Sequence, residues 1–314
     1  RVMAAAGAPA LASAVASTGF RHRTTKSMLA DRDRHSTSIN IGCYNLLCPT
    51  YGVKWKEREA MNDEGNSNWS QRWPVMACIL CRANFDILCL QEVEQAEVDG
   101  ISKDLGSEYE VFYFKHKVRP PDGVMLAVRK SSFIGDTTFA EIDCKGVAFG
   151  RADVQLITPS TQIVKLRVCT AHCRGGRQEQ LAALADFADE GAPLEQAITI
   201  IAADFNEDFS AQGTHEAPHC PFPASVVHGA YETLPRAADL AQLSRPAHKQ
   251  AEGQTSGKGK IDYIWVRPTP DLPIDLFLDD ASRQAVYESH RECVQTGQWP
   301  SDHGIEAFSV RIPS

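Results

Sequence analysis

The chain has 314 residues, 43% of them hydrophobic, and a formal net charge of -8. That length supplies one large core or two modest ones, and no run of about 18 apolar residues is present to span a bilayer. The acidic balance argues against a protein that grips duplex DNA along many phosphates, because that mode needs Lys and Arg to displace counterions.

The chain opens with a basic stretch. From Arg1 to Arg34 it is rich in Ala, Ser and Thr and carries Arg21, Arg23 and Lys26, with no acid before Asp31. This is the composition of an organelle transit peptide. Residues 1–37 are therefore expected to form a disordered leader ahead of one domain over 38–314. The protein is expected in the mitochondrion or plastid if the leader acts as a transit peptide, and otherwise in the cytoplasm.

Ser38 to Asn45 alternates and is β-rich, which predicts a strand ending on Asn45. From Trp69 to Ala83, Trp73, Val75, Met76, Ile79 and Leu80 recur at helical spacing, and a buried strand from Ile87 to Glu92 follows. Val111–Phe114, Val124–Val128, Phe133–Ile142, Val147–Ile157 and Ile163–Thr170 read as successive strands of an antiparallel meander. A helix over Gln178–Ala188 comes next, then strands over Ile198–Ala202, Ile261–Val266 and Ile305–Val310. The Gly-, Pro- and polar-rich stretches Ser210–Pro223 and Pro246–Lys260 read as loops. Strands in runs with a few interposed helices predict an α+β fold of two packed, mainly antiparallel sheets flanked by helices.

The ten cysteines lie mostly in apolar runs, as small core residues do, so reduced thiols are expected. Cys78 and Cys81 form a CxxC, but it falls inside the helical pattern and no second CxxC follows.

Polar or ionisable residues end or directly follow the apolar strands: Asn45, Glu92, His172, Asp204 with Asn206, Asp262, and Asp302 with His303. Strand ends place side chains on one rim of a sheet. Several carboxylates cannot crowd there without a counter-charge, and a hard divalent cation supplies one. Oxygen ligands from Asn45, Glu92 and Asp302 suit magnesium, which takes one or two carboxylates and keeps waters and phosphate oxygens. Asp204-Phe205-Asn206 also suits an Asx turn after a strand.

The chain resembles the endonuclease/exonuclease/phosphatase (deoxyribonuclease-I-like) superfamily, and within it the branch of nocturnin and the carbon-catabolite-repressor-type deadenylases. The matching stretches are Cys43-Tyr44-Asn45-Leu46-Leu47, Trp69-Ser70-Gln71-Arg72-Trp73, Asp86 to Val93, Asp122-Gly123, Thr170-Ala171-His172, Ala203-Asp204-Phe205-Asn206, Ile261-Asp262-Tyr263-Ile264 and Ser301-Asp302-His303. They fall in the family's order. The resemblance implies a four-layer α/β/β/α sandwich and a hydrolase dependent on Mg2+, with Mn2+ able to substitute. It implies that Glu92 holds the metal, helped by Asn45 and Asp302. Asp204 orients or deprotonates the attacking water, Asn206 holds a phosphate oxygen, His303 oriented by Asp262 stabilises transition-state charge, and His172 contacts the scissile phosphate. Such a set suffices for phosphoryl transfer, which needs electrostatic placement more than covalent help. Ala203 and Cys173 stand where the family usually has Gly and Leu, both small changes.

Arg174 and Arg177 beside His172, together with Lys115, are expected to bind substrate phosphate, and Phe205 to stack on a base. Three substrate classes follow: an RNA 3′ end cut in the manner of a deadenylase, the 2′-phosphate of NADP(H), and 2′-5′-linked or cyclic-phosphate RNA ends. The partner is thus an RNA 3′ end or a small nucleotide, with no membrane and no leucine-rich-repeat docking segment, and a free-standing monomer is expected. The rival of another class is a catalytically inactive RNA-binding module.

Overall fold

The computed structural model describes residues 36–51, 68–118, 121–174, 178–190, 197–206, 262–267, 274–277 and 305–313. The predicted loops Ser210–Pro223 and Pro246–Lys260 and residues 1–35 of the leader lie outside them, while Ser36 and Thr37, expected in the leader, pair with the last strand as the start of the first. Strand β1 (Ser36–Asn45) leads to helix α1 (Trp69–Ala83) and strand β2 (Ile87–Glu94). Helix α1 begins where Asn68 Oδ1 accepts the Ser70 N–H (3.1 Å), and it stops at Asn84, whose φ of 53° is left-handed. Helix α2 (Val98–Leu105) is tied to α1 by the Trp73 indole donating to Asp104 (2.7 Å). Strands β3 (Tyr109–Lys115), β4 (Asp122–Arg129), β5 (Ile134–Cys144), β6 (Val147–Ile157) and β7 (Ile163–His172) follow. Helix α3 (Gln178–Asp189) precedes β8 (Ala197–Asp204), β9 (Asp262–Arg267), β10 (Asp275–Phe277) and β11 (Glu306–Pro313).

The strands make two sheets, one in the order β10-β11-β1-β2-β4-β3 and one in the order β5-β6-β7-β8-β9. Each is mainly antiparallel but has one parallel pair, β1 with β2 and β7 with β8. A helix crosses between the strands of each parallel pair, as parallel pairing requires. The ends of β1, β2, β7 and β8 therefore emerge together on one rim. Ile41, Cys89, Leu126, Val154, Val168 and Ile200 fill the space between the sheets. Met76 and Leu80 of α1 pack on Leu88, Leu90 and Met125 behind the first sheet. Leu181, Leu184 and Phe187 of α3 pack on Phe149, Ile201 and Trp265 behind the second. This is the expected α/β/β/α sandwich. Burial of β2, β4 and β8 on both faces explains why those strands read as unbroken apolar runs.

The meander expected from Val111 to Thr170 is instead split between the sheets. β3 and β4 form a hairpin in the first, and β5 to β7 form a meander in the second. The reason is edge occupancy: β4 already has β2 on one edge and β3 on the other, so β5 has no edge to join. Short strand β10 had no distinct sequence signal. The eight described cysteines are free thiols, with Cys78 and Cys81 exposed on α1. None of the described helices is long and apolar enough to cross a membrane.

Glycine at position 123 is a requirement of the β3–β4 hairpin. A Cβ there would stand 2.2 Å from the Phe114 carbonyl oxygen and 3.0 Å from Lys115 Cα, both backbone atoms that cannot swing aside. Gly123→Ala is expected to destabilise the fold by about 2 kcal/mol or more, the upper range for overpacking. The check is a lowered urea midpoint at unchanged slope.

Candidate active site

The rim is assembled by strand register. Asn45 ends β1 opposite Gln91 of β2, His172 ends β7 opposite Asp204 of β8, and Asp204 faces Asp262 at the start of β9. In β2 the pairing with β4 shifts between Leu90 and Val93, so Gln91 and Glu92 together oppose one residue of β4. Glu92 takes a left-handed φ of 54° at this bulge. The two adjacent side chains then serve different ends: Gln91 donates to Thr170 Oγ1 of the other sheet (2.9 Å), and Glu92 turns into the rim.

Glu92 Oε2 accepts the Cys48 N–H (3.0 Å), and Oε1 accepts Asn45 Nδ2 (3.0 Å). The same Nδ2 donates to Asp204 Oδ2 (2.8 Å), so one amide joins a carboxylate of each sheet. Asn45 Oδ1 accepts the Leu47 N–H (2.9 Å). Buried Arg72 of α1 fixes this turn by donating to the carbonyls of Leu46 (2.8 Å) and Leu47 (2.6 Å). Asp204 Oδ1 accepts the Asn206 N–H (2.8 Å), and Asn206 Nδ2 donates to the Cys173 carbonyl (3.0 Å). The Asx turn and the rim position are both realised.

His172 lies among three carboxylates. Its Nδ1 is 3.4 Å from Asp122, and its Nε2 is 3.6 Å from Glu92 and 3.8 Å from Asp204. Burial opposes charge on this ring, but Asp122, Glu92 and Asp204 together outweigh it and push its pKa up to about 9. The neighbouring His116 behaves oppositely. Burial brings its pKa down to about 4 against the pull of Asp122, and its Nδ1 accepts the Ala148 N–H (2.9 Å). Among the described residues, three carboxyl groups share one imidazolium. The donors Glu92, His172 and Asp204 lie within 4.8 Å of one another, so the group fits a divalent cation.

Several expected residues are placed differently. Asn45 presents its amide nitrogen, and not its oxygen, to the carboxylates, and so links prospective ligands. His172 points both nitrogens at carboxylates, where it compensates charge within the rim. Phe205 is 1% exposed and stacks on Trp265 (centroids 4.5 Å apart), so it cannot receive a base. Alternation accounts for this: Phe205 shares the α3-facing side with Ala203, and Asp204 takes the other. Lys115 is exposed at the end of β3, and the backbone N–H of Arg174 donates to Gln180 Oε1 (2.8 Å). Asp262 is placed by its backbone alone; Arg177, Asp302 and His303 lie outside the described residues. Sequence reasoning missed Asp122 and His116 as rim residues. The available signal was the Asp122-Gly123 pair, a carboxylate opening a wholly apolar strand.

In buffer free of divalent ions, NMR titration is expected to show His172 protonated up to about pH 9 and His116 neutral down to about pH 4. The folded pKa of His172 exceeds its unfolded value of about 6.5. Its stabilising contribution is therefore complete below the unfolded value and is lost as pH rises to about 9. Denaturation of His172→Gln across that window should show a flatter pH dependence than the parent.

Comparison with known proteins bears on this rim. The model of the endonuclease/exonuclease/phosphatase family matches residues 65–303. No curated protein matches the sequence. Humanized D. rerio TDP2 carrying 14 mutations is similar in structure at 20% identity and a TM-score of 0.59, over 88% of this chain and 99% of that one. ANGEL2, a 2′,3′-cyclic phosphatase in complex with adenosine-2′,3′-vanadate, is similar at 14% identity and 0.57, over 88% and 96%. The human nocturnin catalytic domain with bound sulfate is similar at 18% identity and 0.52, over 88% and 94%. These identities speak to the fold, and the family match spans most of the chain. The chain belongs to the endonuclease/exonuclease/phosphatase family, whose members are hydrolases of phosphate esters.

Proposed function

We propose that the chain is a magnesium-dependent hydrolase of phosphodiester bonds at RNA 3′ ends, in the manner of a deadenylase. The observation that carries this reading is the join of Glu92, Asn45 and Asp204 across the two sheets, beside His172. A cleft of about 750 Å³ supports a nucleotide substrate; it is lined by Tyr113, Lys115 and Lys117, with Phe112 stacked on Phe139 (centroids 5.0 Å apart). Phe112 is 44% exposed, so an aromatic face is available to a base where buried Phe205 offers none.

In this reading Glu92 and, on the family resemblance, Asp302 hold the metal. When bound, the ion would polarise the phosphate and offset charge developing on its oxygens. Asp204 Oδ2 accepts from Asn45 and Oδ1 from the Asn206 N–H, which fixes the orientation in which the carboxylate would meet the attacking water. Asn45 keeps Asp204 and Glu92 in mutual register. The family resemblance assigns His303, oriented by Asp262, to the transition-state charge. It assigns Arg174, Arg177 and Lys115 to substrate phosphates.

A second reading, a nocturnin-like phosphatase acting on the 2′-phosphate of NADP(H), is favoured by the net charge of -8. An acidic protein gains little from a long polyanion and loses little with a short one.

Purified protein assayed side by side on oligo(A), mixed-sequence RNA, 2′-5′ oligoadenylate and NADPH with magnesium is expected to shorten RNA from its 3′ end. Release of phosphate from NADPH with RNA left whole would replace the first reading by the second. Glu92→Ala is expected to lower the rate at least about a hundredfold, as loss of one electrostatic contributor does. RNA binding without turnover in the parent protein would point to an inactive binding module.

A further inference from the structure

The cleft beside the rim lies where the free edges of the two sheets meet, since β3 closes the first sheet and β5 the second. Alternation along β3 sends Phe112 and Phe114 to the face between the sheets. Phe114 reaches the core and is buried, whereas Phe112 meets Phe139 of the edge strand β5 and stays exposed. The exposed ring is held from two sides, by Phe114 at 4.9 Å and Phe139 at 5.0 Å between centroids. A ring fixed in this way loses little freedom when a ligand lands on it. The wall of the cleft is fixed as well. Past the end of β3, the N–H groups of Lys117 and Val118 donate to the Gly146 carbonyl (3.0 and 3.3 Å), in the turn between β5 and β6.

Charge in the cleft runs against that of the chain. Lys115 and Lys117 line it with one carboxylate, Glu141, in a chain of formal charge -8. The Lys117 side chain is 69% exposed and its contact with Asp143 is long, at 3.9 Å, so its ammonium can exchange that partner for a phosphate. An aromatic face flanked by ammonium groups suits an unstacked base together with its backbone phosphates. A duplex keeps its bases paired and stacked away from such a face.

Position decides which base. β3 reaches the rim with its C-terminal end: Lys115 pairs with Gly123 beside Asp122, and the ring of His116, which lines the cleft, lies 6.2 Å from that of His172. Phe112 stands three residues back from Lys115, about 10 Å along a strand. A stacked strand of nucleic acid advances about 3.4 Å per nucleotide, so a base on Phe112 is roughly three or more nucleotides from the rim. We propose that the cleft holds an upstream base of a single-stranded RNA, stacked on Phe112 with neighbouring phosphates on Lys115 and Lys117. This subsite rests on the reading of the rim as a site that cuts RNA 3′ ends, and it adds a preference for chain length. An oligonucleotide of about four residues or more spans rim and cleft, whereas a dinucleotide stops short of Phe112.

The test is calorimetric titration of the full chain with unlabelled oligo(A) of about two to eight nucleotides, a range that brackets one single-strand site, in EDTA so that no turnover intervenes. Affinity is expected to rise with length and to level off once Phe112 is reached. Phe112→Ala should weaken the longer ligands about tenfold, the scale of one lost base stack, and leave the dinucleotide unchanged. Phe112→Trp should restore the longer ligands. Lys117→Gln should reduce the slope of log affinity against log salt by about 0.7. Equal loss in Phe112→Ala for the shortest and longest ligands, or loss for neither, would overturn the subsite. So would a loss confined to NADPH, which would give the cleft to a free dinucleotide. Hydrolysis of bis(p-nitrophenyl) phosphate, too short to reach Phe112, reports on the rim separately. A parent protein that shows the length dependence yet cuts neither this ester nor RNA would leave the subsite standing and remove the hydrolase reading.

Discussion

The Asn45 amide is the interaction on which the rest of the structure depends. It ends the central parallel strand of one sheet and donates to Glu92 of that sheet and to Asp204 of the other. Two carboxylates brought this close repel each other, and a neutral donor with two hydrogens is the smallest group that answers both. Hydrogen bonds to charged groups contribute about 1.5–3 kcal/mol each, so the bridge is also a fastening between the layers. The Gln91–Thr170 bond makes a second fastening one residue away. Arg72 completes the arrangement from behind: a helix side chain holds the carbonyls of the turn whose N–H groups address Asn45 and Glu92.

Much of this was legible in the sequence, and the gaps have physical causes. Helix α1 matched its prediction from Trp69 to Ala83 because periodicity, cap and stop signal agreed. The rim was legible because a polar residue closing an apolar strand has few other places to go. Sheet membership was not, since alternation identifies a strand but not its neighbour, and β4 and β5 read alike on either side of a short link. Asn45 was assigned as an oxygen ligand because an amide carries both an oxygen and a nitrogen, and only the surrounding carboxylates decide which one faces inward. Phe205 was assigned to a base because its place between two site residues is a matter of sequence, whereas its direction follows from strand alternation. His116 stood out in the sequence only as one of the basic residues beside Lys115. Its place at the rim follows from the β3–β4 hairpin, which brings it near His172 of β7, a proximity set by tertiary structure.

Glu92 shows how the fold supports an unfavourable local conformation. A left-handed φ on a non-glycine residue costs about 1–3 kcal/mol. A strand without the bulge would send Gln91 and Glu92 to opposite faces, with Glu92 directed at the α1 and α2 layer beside Leu88 and Leu90. The bulge lets Gln91 reach the second sheet while Glu92 reaches the rim, and the Cys48 N–H and Asn45 amide hold it there.

The balance of charge then connects structure to chemistry. Asp122, Glu92 and Asp204 converge on His172, and among the described residues the proton on that ring is a positive charge shared by all three. A proton satisfies them poorly, because it is held on one ring at 3.4–3.8 Å from the carboxylates and is opposed by burial. A divalent ion brings twice the charge and can approach carboxylate oxygens to about 2.1 Å. A divalent ion at this rim would take over the role that the His172 proton plays between the carboxylates. The Asn45 amide would then hold Glu92 and Asp204, one from each sheet, in place beside it.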